Sequence, residues 1–270
     1  MASFDYEQLI WGKGEATFNP TDPTAFRFWR SFNWLSNLPF GSKVLEVGTG
    51  AGQFIRAFKK RRPDWECFGT DISRSALAQA EETNDSVNYA LAEANKLPYE
   101  DNYFSAVMIF DVLEHVENPR QLLLEIFRVL QPGGKFYCFI PCEGDKLSFW
   151  YWLRNSKKWN GLTEKYAGHI NRWSRQAWLD LFGKTGFKIG KINYSEHLSG
   201  QILGLLAFYL MDRNSPEGSS VNNEKFFSDL SEQNGWLAYF KKVVNGLVYW
   251  ESLLGRRLPS PNMHVLLEKK

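Results

Sequence analysis

Three glycines on alternate positions, Gly48, Gly50 and Gly52, follow a short apolar run that carries the acid Glu46 near its end. An apolar run that gives way to glycines and then to helix formers is a tight strand-to-helix turn. There the backbone can take positive φ and a flat ligand can come close. Spacing narrows the ligand. A dinucleotide fingerprint needs its third glycine three residues after the second, and Gln53 stands there. Glu46 beside the loop would repel a diphosphate, whereas it suits a ligand with ammonium and sulfonium charges. Roughly twenty residues beyond the loop, Asp71 closes a second apolar run, where a carboxylate can accept both hydroxyl hydrogens of a ribose. His115 and His169 are the side chains here suited to move a proton near neutral pH, and a loop-bracing role is the alternative for each.

The elements that must hold these groups alternate along the chain. Residues 43–47 read as a strand, 52–62 as a helix stopped by Pro63, and 66–70 as the next strand. Ser73 is a good N-cap for a helix to about residue 82, so Asp71 could also be a mere helix-start residue. Strands at 87–92 and 104–110 follow, then a helix opened by Asn118-Pro119 that runs to 130. Pro132-Gly133-Gly134 turns the chain into a strand ending near Pro141. Ser174 caps a further helix, and 186–192 and 262–268 read as the last strands. In an open parallel sheet the ligand lies beyond the carboxyl ends of the strands where strand order reverses, so the segment from Asp111 to His115 should border the site.

Several stretches resemble the class I S-adenosylmethionine-dependent methyltransferases, those of type 11 in particular. They are Glu46 to Gly52, Gly69-Thr70-Asp71-Ile72-Ser73, Glu93-Ala94-Asn95-Lys96-Leu97-Pro98-Tyr99, Leu113-Glu114-His115-Val116 and Pro132-Gly133-Gly134. The resemblance covers 44–192 and the last strand. It implies an α/β fold: a Rossmann-like three-layer sandwich on a seven-stranded, mostly parallel sheet, with an antiparallel last strand between strands five and six. It implies S-adenosyl-L-methionine as cofactor, held at Glu46, Gly48, Thr49, Gly50 and Gly52. Asp71 would take the ribose, Ile72 would pack on adenine, Glu93 and Ala94 would meet the adenine edge, and Asp111 and Val112 would lie beside the methionine moiety. His169 is the first candidate for a catalytic group and His115 the second. Two positions depart from the family pattern: Glu93 stands where aspartate is usual, and Ser105 where an acid is common.

Composition bounds the partners. The chain has 270 residues and a formal net charge of +2, which implies no nucleic-acid partner. Residues 1–9 lack a secretory signal pattern, and Cys67, Cys138 and Cys142 lack zinc or redox spacing, so a cytoplasmic protein with reduced thiols and no metal is expected. Of eleven tryptophans only Trp65 lies between Gly41 and Pro141, so the aromatic weight sits outside the glycine-loop half, in an acceptor pocket or a second core.

The domain reading is one unit: a helical cap over 1–40, a core of 41–193 and 262–270, and insertions at 142–172 and 194–261. In the cap, Arg27 and Arg30 read as snorkelling arginines on a solvated face, with contact to a membrane surface or an acidic ligand as the alternative. Residues 214–223 read as a flexible loop. Neither 198–211 nor 236–254 is a transmembrane helix. The second carries Trp236, Phe240, Val243, Val244, Leu247 and Trp250 on one face, which is expected to pack on the domain, with membrane-surface docking as the alternative.

The function expected is methyl transfer from S-adenosylmethionine to a small hydrophobic acceptor, such as a quinone-like, isoprenoid, polyketide or lipid compound. A non-catalytic scaffold that binds the same cofactor and a nicotinamide-dependent oxidoreductase remain as alternatives. Sequence leaves the oligomeric state and the general base open.

Overall fold

The computed structural model describes residues 7, 10–12, 18–22, 24–214 and 235–270. The expected loop at 215–223 lies outside the described residues; Asn214 itself ends a helix.

A single seven-stranded sheet organises the chain, in the order β3-β2-β1-β4-β5-β7-β6. Its strands are β1 (Lys43–Val47), β2 (Glu66–Asp71), β3 (Asn88–Leu91), β4 (Phe104–Phe110), β5 (Leu130–Pro141), β6 (Phe187–Ser195) and β7 (Asn262–Lys269). Pairing is parallel from β3 through β5, and β7 runs antiparallel to both of its neighbours. The last strand therefore lies between β5 and β6, as the sequence resemblance implied. Strand order reverses between β1 and β4, which puts the crevice for a ligand at their carboxyl ends.

The central strands β1 and β4 are buried along most of their length because each face of the sheet is covered. Leu45, Val47, Val107, Ile109, Cys138 and Ile140 point to one side, where α4 (Pro119–Val129) and α7 (Arg175–Lys184) add Leu122, Ile126, Trp178 and Phe182. Val44, Ala106, Met108, Tyr137 and Phe139 point to the other, under α1 (Ala25–Leu35) and α2 (Gln53–Arg61). This alternation is the period-two geometry of a strand, and it makes the three layers. Phe28 of α1 and Phe58 of α2 are fully buried, each contributing about 2–3 kcal/mol of transfer energy.

Local signals set the boundaries near the site. Ser73 accepts from the Ala76 amide and caps α3 (Arg74–Glu81), Asn118 accepts from Gln121 ahead of Pro119, and Ser174 accepts from Ala177. After β5 come two short helices, α5 (Phe149–Leu153) and α6 (Leu162–Ala167). Two longer ones, α8 (Leu198–Asn214) and α9 (Gly235–Gly255), lie between β6 and β7.

Helix α9 corrects one expectation. Phe240, Val243, Leu247 and Trp250 are 45–60 % exposed and Val244 is half-buried, so much of the apolar row faces away from the domain. A different face docks: Ser252 is buried and accepts from the Glu196 amide, Asn245 donates to the Thr21 carbonyl, and Tyr249 meets Phe26 edge-on. Polar anchors fix the helix's rotation, and the row that periodicity marks as core faces outward. The side chain of Trp236 lies outside the described residues. Among the described residues no helix is long and apolar enough to cross a membrane.

Candidate active site

The glycine loop leaves β1 and enters α2 with Gly48, Gly50 and Gly52 at φ of 73°, 54° and 82°, values that side chains rarely tolerate. Their crowding comes from the chain itself. A Cβ on Gly48 would stand 2.6 Å from Val112 Cγ2, one on Gly50 2.7 Å from the Trp11 carbonyl, and one on Gly52 2.4 Å from the Tyr89 hydroxyl. Every loop amide is also committed. Gly48 and Thr49 donate to the Thr70 carbonyl, Gly50 to Asp71 Oδ2 at 2.7 Å, Ala51 to the Trp11 carbonyl and Gly52 to Thr49. A flat ligand that comes close to this turn, as the sequence leads one to expect, therefore meets amides that are already taken. A loop with its N–H groups spent is a poor seat for a diphosphate.

Glu46 does not border open space; it is 2 % exposed. Its Oε2 accepts from the Thr49 hydroxyl at 2.8 Å and from the Ile55 amide at 3.0 Å, joining the loop to the first turn of α2. Burial pushes its carboxyl up to about 8, against the pull of those two hydrogen bonds.

Asp71, at the end of β2, accepts from Gly50 and, through Oδ1, from Ser73, while burial raises its pKa. Beside it Ile72 is 56 % exposed at the mouth of the crevice, an apolar surface open to a ring. Ala94 packs on the core, and Glu93 is exposed on the turn after β3. Glu7 sits on the start of α3, its carboxylate accepting from the amides of Arg74 and Ser75. Those amides hold it down at about 2.

A second group of side chains gathers beyond β4 and β5. Asp111 has φ 51° and pairs with Arg27 of α1, which also reaches Glu196 at 3.1 Å and lies over the Phe139 ring. Arg27 is therefore no solvated surface arginine, which corrects the sequence reading. The segment after α6 docks on the loop after β4. Ile170 and Asn171 amides donate to the Glu114 carbonyl, and the Asn171 side chain donates to the carbonyls of Leu113 and Val116.

That docking brings the two histidines together, with ring centroids 5.0 Å apart. His115 Nδ1 bonds the Gly168 carbonyl, and His169 Nδ1 bonds Glu143 Oε1 at 2.6 Å. Burial and the neighbouring His169 hold His115 down at about 3. For His169 burial acts in the same direction, but the Glu143 carboxylate outweighs it and lifts the ring to about 9. Glu114, fully buried, is pushed well above the usual carboxylate range by burial and by Asp111.

Glu143 also lines a cavity of about 310 Å³ formed with Trp150, Tyr151, Arg154, Trp159 and Arg172, all from the segment after β5. Arg27, Glu114, Glu143, Asn171 and Glu196 were not singled out as site residues from the sequence. The adjacency of Glu114 and His115 to Asp111 was the one local signal; the others come from distant segments.

A family model described as a methyltransferase domain matches residues 45–138, from β1 through β5. The ubiquinone/menaquinone biosynthesis C-methyltransferase of Desulfotalea psychrophila is 33% identical over 102 residues, which is 37% of this chain and 42% of that protein. The chain thus matches less than half the length of that curated relative. Among solved structures, the [4+2]-cyclase SpnF aligns with a TM-score of 0.59 at 17% identity, over 100% of this chain and 87% of that one. A phosphoethanolamine N-methyltransferase of Haemonchus contortus, solved with phosphomonomethylethanolamine and S-adenosylhomocysteine, aligns at 0.57 with 18% identity, over 90% and 52%. At those identities the solved structures establish shared architecture alone.

Proposed function

From the premise that this chain carries a class I S-adenosylmethionine-dependent methyltransferase domain, we propose that it moves the donor's methyl group to a small, largely apolar acceptor. The carrying observation is convergence. The glycine loop, Asp71 and exposed Ile72 meet at the carboxyl ends of β1 and β2, within the stretch that matches the family model. Asp71 is assigned to the ribose, Ile72 to the adenine face, Glu93 and Ala94 to the adenine edge, and Asp111 and Val112 to the methionine end. Glu46 acts on the donor through the loop that it braces.

The reaction is an in-line displacement in which the acceptor attacks the sulfonium methyl and S-adenosylhomocysteine leaves. Charge is dispersed as the methyl departs, so holding two reactants aligned in a dry site is the protein's main task. The aromatic cavity beside Glu143 is assigned to the acceptor. Its two arginines suit an acceptor with an anionic or electron-rich oxygen on a planar body, which includes the quinone-like compounds that the curated relative's name points to. His169, held protonated to about pH 9, orients and polarises the acceptor at neutral pH rather than accepting its proton.

Calorimetry with S-adenosylmethionine tests the donor half. Binding is expected, with Asp71→Ala weaker by at least about tenfold, since it removes the ribose acceptor and frees the Gly50 amide. Unchanged affinity in that variant removes Asp71 from the site. Incubation of the protein and labelled donor with quinone-like acceptors then separates an enzyme from a scaffold that only binds the donor.

A further inference from the structure

From the cavity beside Glu143 we infer that the acceptor is a planar aromatic acid, whose carboxylate is held by Arg154 and Arg172 and whose reacting end lies toward Glu143 and His169. This rests on the assignment of that cavity to the acceptor and deepens it. The cavity has two unlike sides. Arg154, Asn155, Asn160 and Arg172 are exposed at its rim, whereas Glu143 and Thr163 are buried at its floor. Trp150, Tyr151 and Trp159 are half-buried and give it an aromatic wall, which Phe208 of α8 supports by meeting Trp150 edge-on at 5.3 Å. Such a wall takes a flat ring, and a volume of about 310 Å³ suits a body of one or two rings.

Charge selects the group that the ring carries. Arg154 donates Nη1 to the Tyr151 carbonyl at 2.8 Å and lies 3.7 Å over the Tyr151 ring, so its guanidinium is held in place. Among the described residues it pairs with no carboxylate. Arg172 has Glu164 at 4.0 Å and Asn160 Oδ1 at 3.5 Å, both at the outer limit of contact. The one acid on the cavity wall is already answered. Glu143 takes the His169 Nδ1 proton at 2.6 Å on Oε1 and the Thr163 hydroxyl at 2.9 Å on Oε2. The wall thus sets two guanidinium forks against a compensated ion pair, and such forks match a planar carboxylate. Residues 146–158 add Lys146, Lys157 and Lys158 to Arg154 and contain no acid, a field that draws an anion to the rim. The floor lies on the donor's side, because the segment that carries His169 docks on the loop after β4, next to Asp111 and Val112. A carboxylate at the rim therefore leaves the opposite end of the ring to react.

Calorimetry on the full chain tests this with 6-hydroxy-2-naphthoate and its uncharged counterpart, 6-hydroxy-2-naphthamide. The naphthoate should bind at least about tenfold more tightly, and added salt should weaken it while sparing the amide. Arg154→Gln and Arg172→Gln should each lower that preference and together abolish it. Lys157→Gln, at an exposed neighbour outside the cavity lining, should keep it. Circular dichroism establishes that the variants fold. Equal affinity for acid and amide, or a preference that survives in the double variant, overturns the carboxylate site and leaves the cavity as a pocket for a neutral acceptor. Binding of neither probe overturns the inference together with the assignment of the cavity to the acceptor. Donor affinity is measured without either probe, so its loss strikes the methyl-transfer reading and leaves the naphthoate result standing.

Discussion

Glu46 carries its proton at neutral pH because burial outweighs two good hydrogen bonds. Its carboxyl rises from 4.5 to about 8 on folding, so the stability it contributes is whole below 4.5 and is lost as pH climbs through 8. His169 adds a loss of the same sign between 6.5 and about 9. Glu46→Gln is therefore expected to leave the melting temperature near pH 4.5 almost unchanged and to make its fall between there and about pH 8 shallower. Thermal melts followed by circular dichroism across that range decide it, and an identical slope would show that Glu46 does not titrate there. On the proposed reading, the same residue would also couple to the donor. A sulfonium arriving nearby favours the ionised carboxylate, so donor binding should release a fraction of a proton near pH 7, read by calorimetry in buffers of different ionisation enthalpy.

Helix α1 does more than cover the sheet, because Arg27 ties it to both Asp111 and Glu196. Replacing Arg27 with Met keeps much of the packing over Phe139 but leaves two partly buried carboxylates uncompensated. A loss of about 2 kcal/mol is expected in urea denaturation, together with weaker donor binding if Asp111 moves. These ties also mark what sequence could and could not reveal. Strand ends, the loop and the caps at Ser73, Asn118 and Ser174 were legible because glycine, proline and capping residues act within a few positions of themselves. Arg27 with Asp111 and His169 with Glu143 pair across 84 and 26 residues, and no local rule reports such partners. The rotation of α9 escaped for the same reason: its periodic apolar row lost to Ser252 and Asn245, whose bonds reach residues far along the chain.

At the scale of the molecule, two helices among the described residues expose apolar rows: Phe240, Val243, Leu247, Trp250 and Leu254 on α9, and Leu198, Ile202 and Leu206 on α8. The spacing on α9 places its members along one stripe, and Lys242 and Arg257 are exposed on or next to this helix. If the membrane-surface docking weighed from the sequence is made by this stripe, an anionic bilayer is the surface that suits its basic neighbours. Leu247→Glu with Trp250→Glu is expected to abolish co-sedimentation with anionic vesicles while leaving donor affinity intact; persistence of co-sedimentation would remove this surface from consideration. The three thiols make such work practicable. Cys67, Cys138 and Cys142 are free and fully buried, and burial lifts Cys67 to about 12. A thiol that neither ionises nor meets solvent is silent to maleimide. The native chain thus offers a blank background, and one cysteine introduced at Leu247 would carry a fluorophore whose colour reports immersion in lipid.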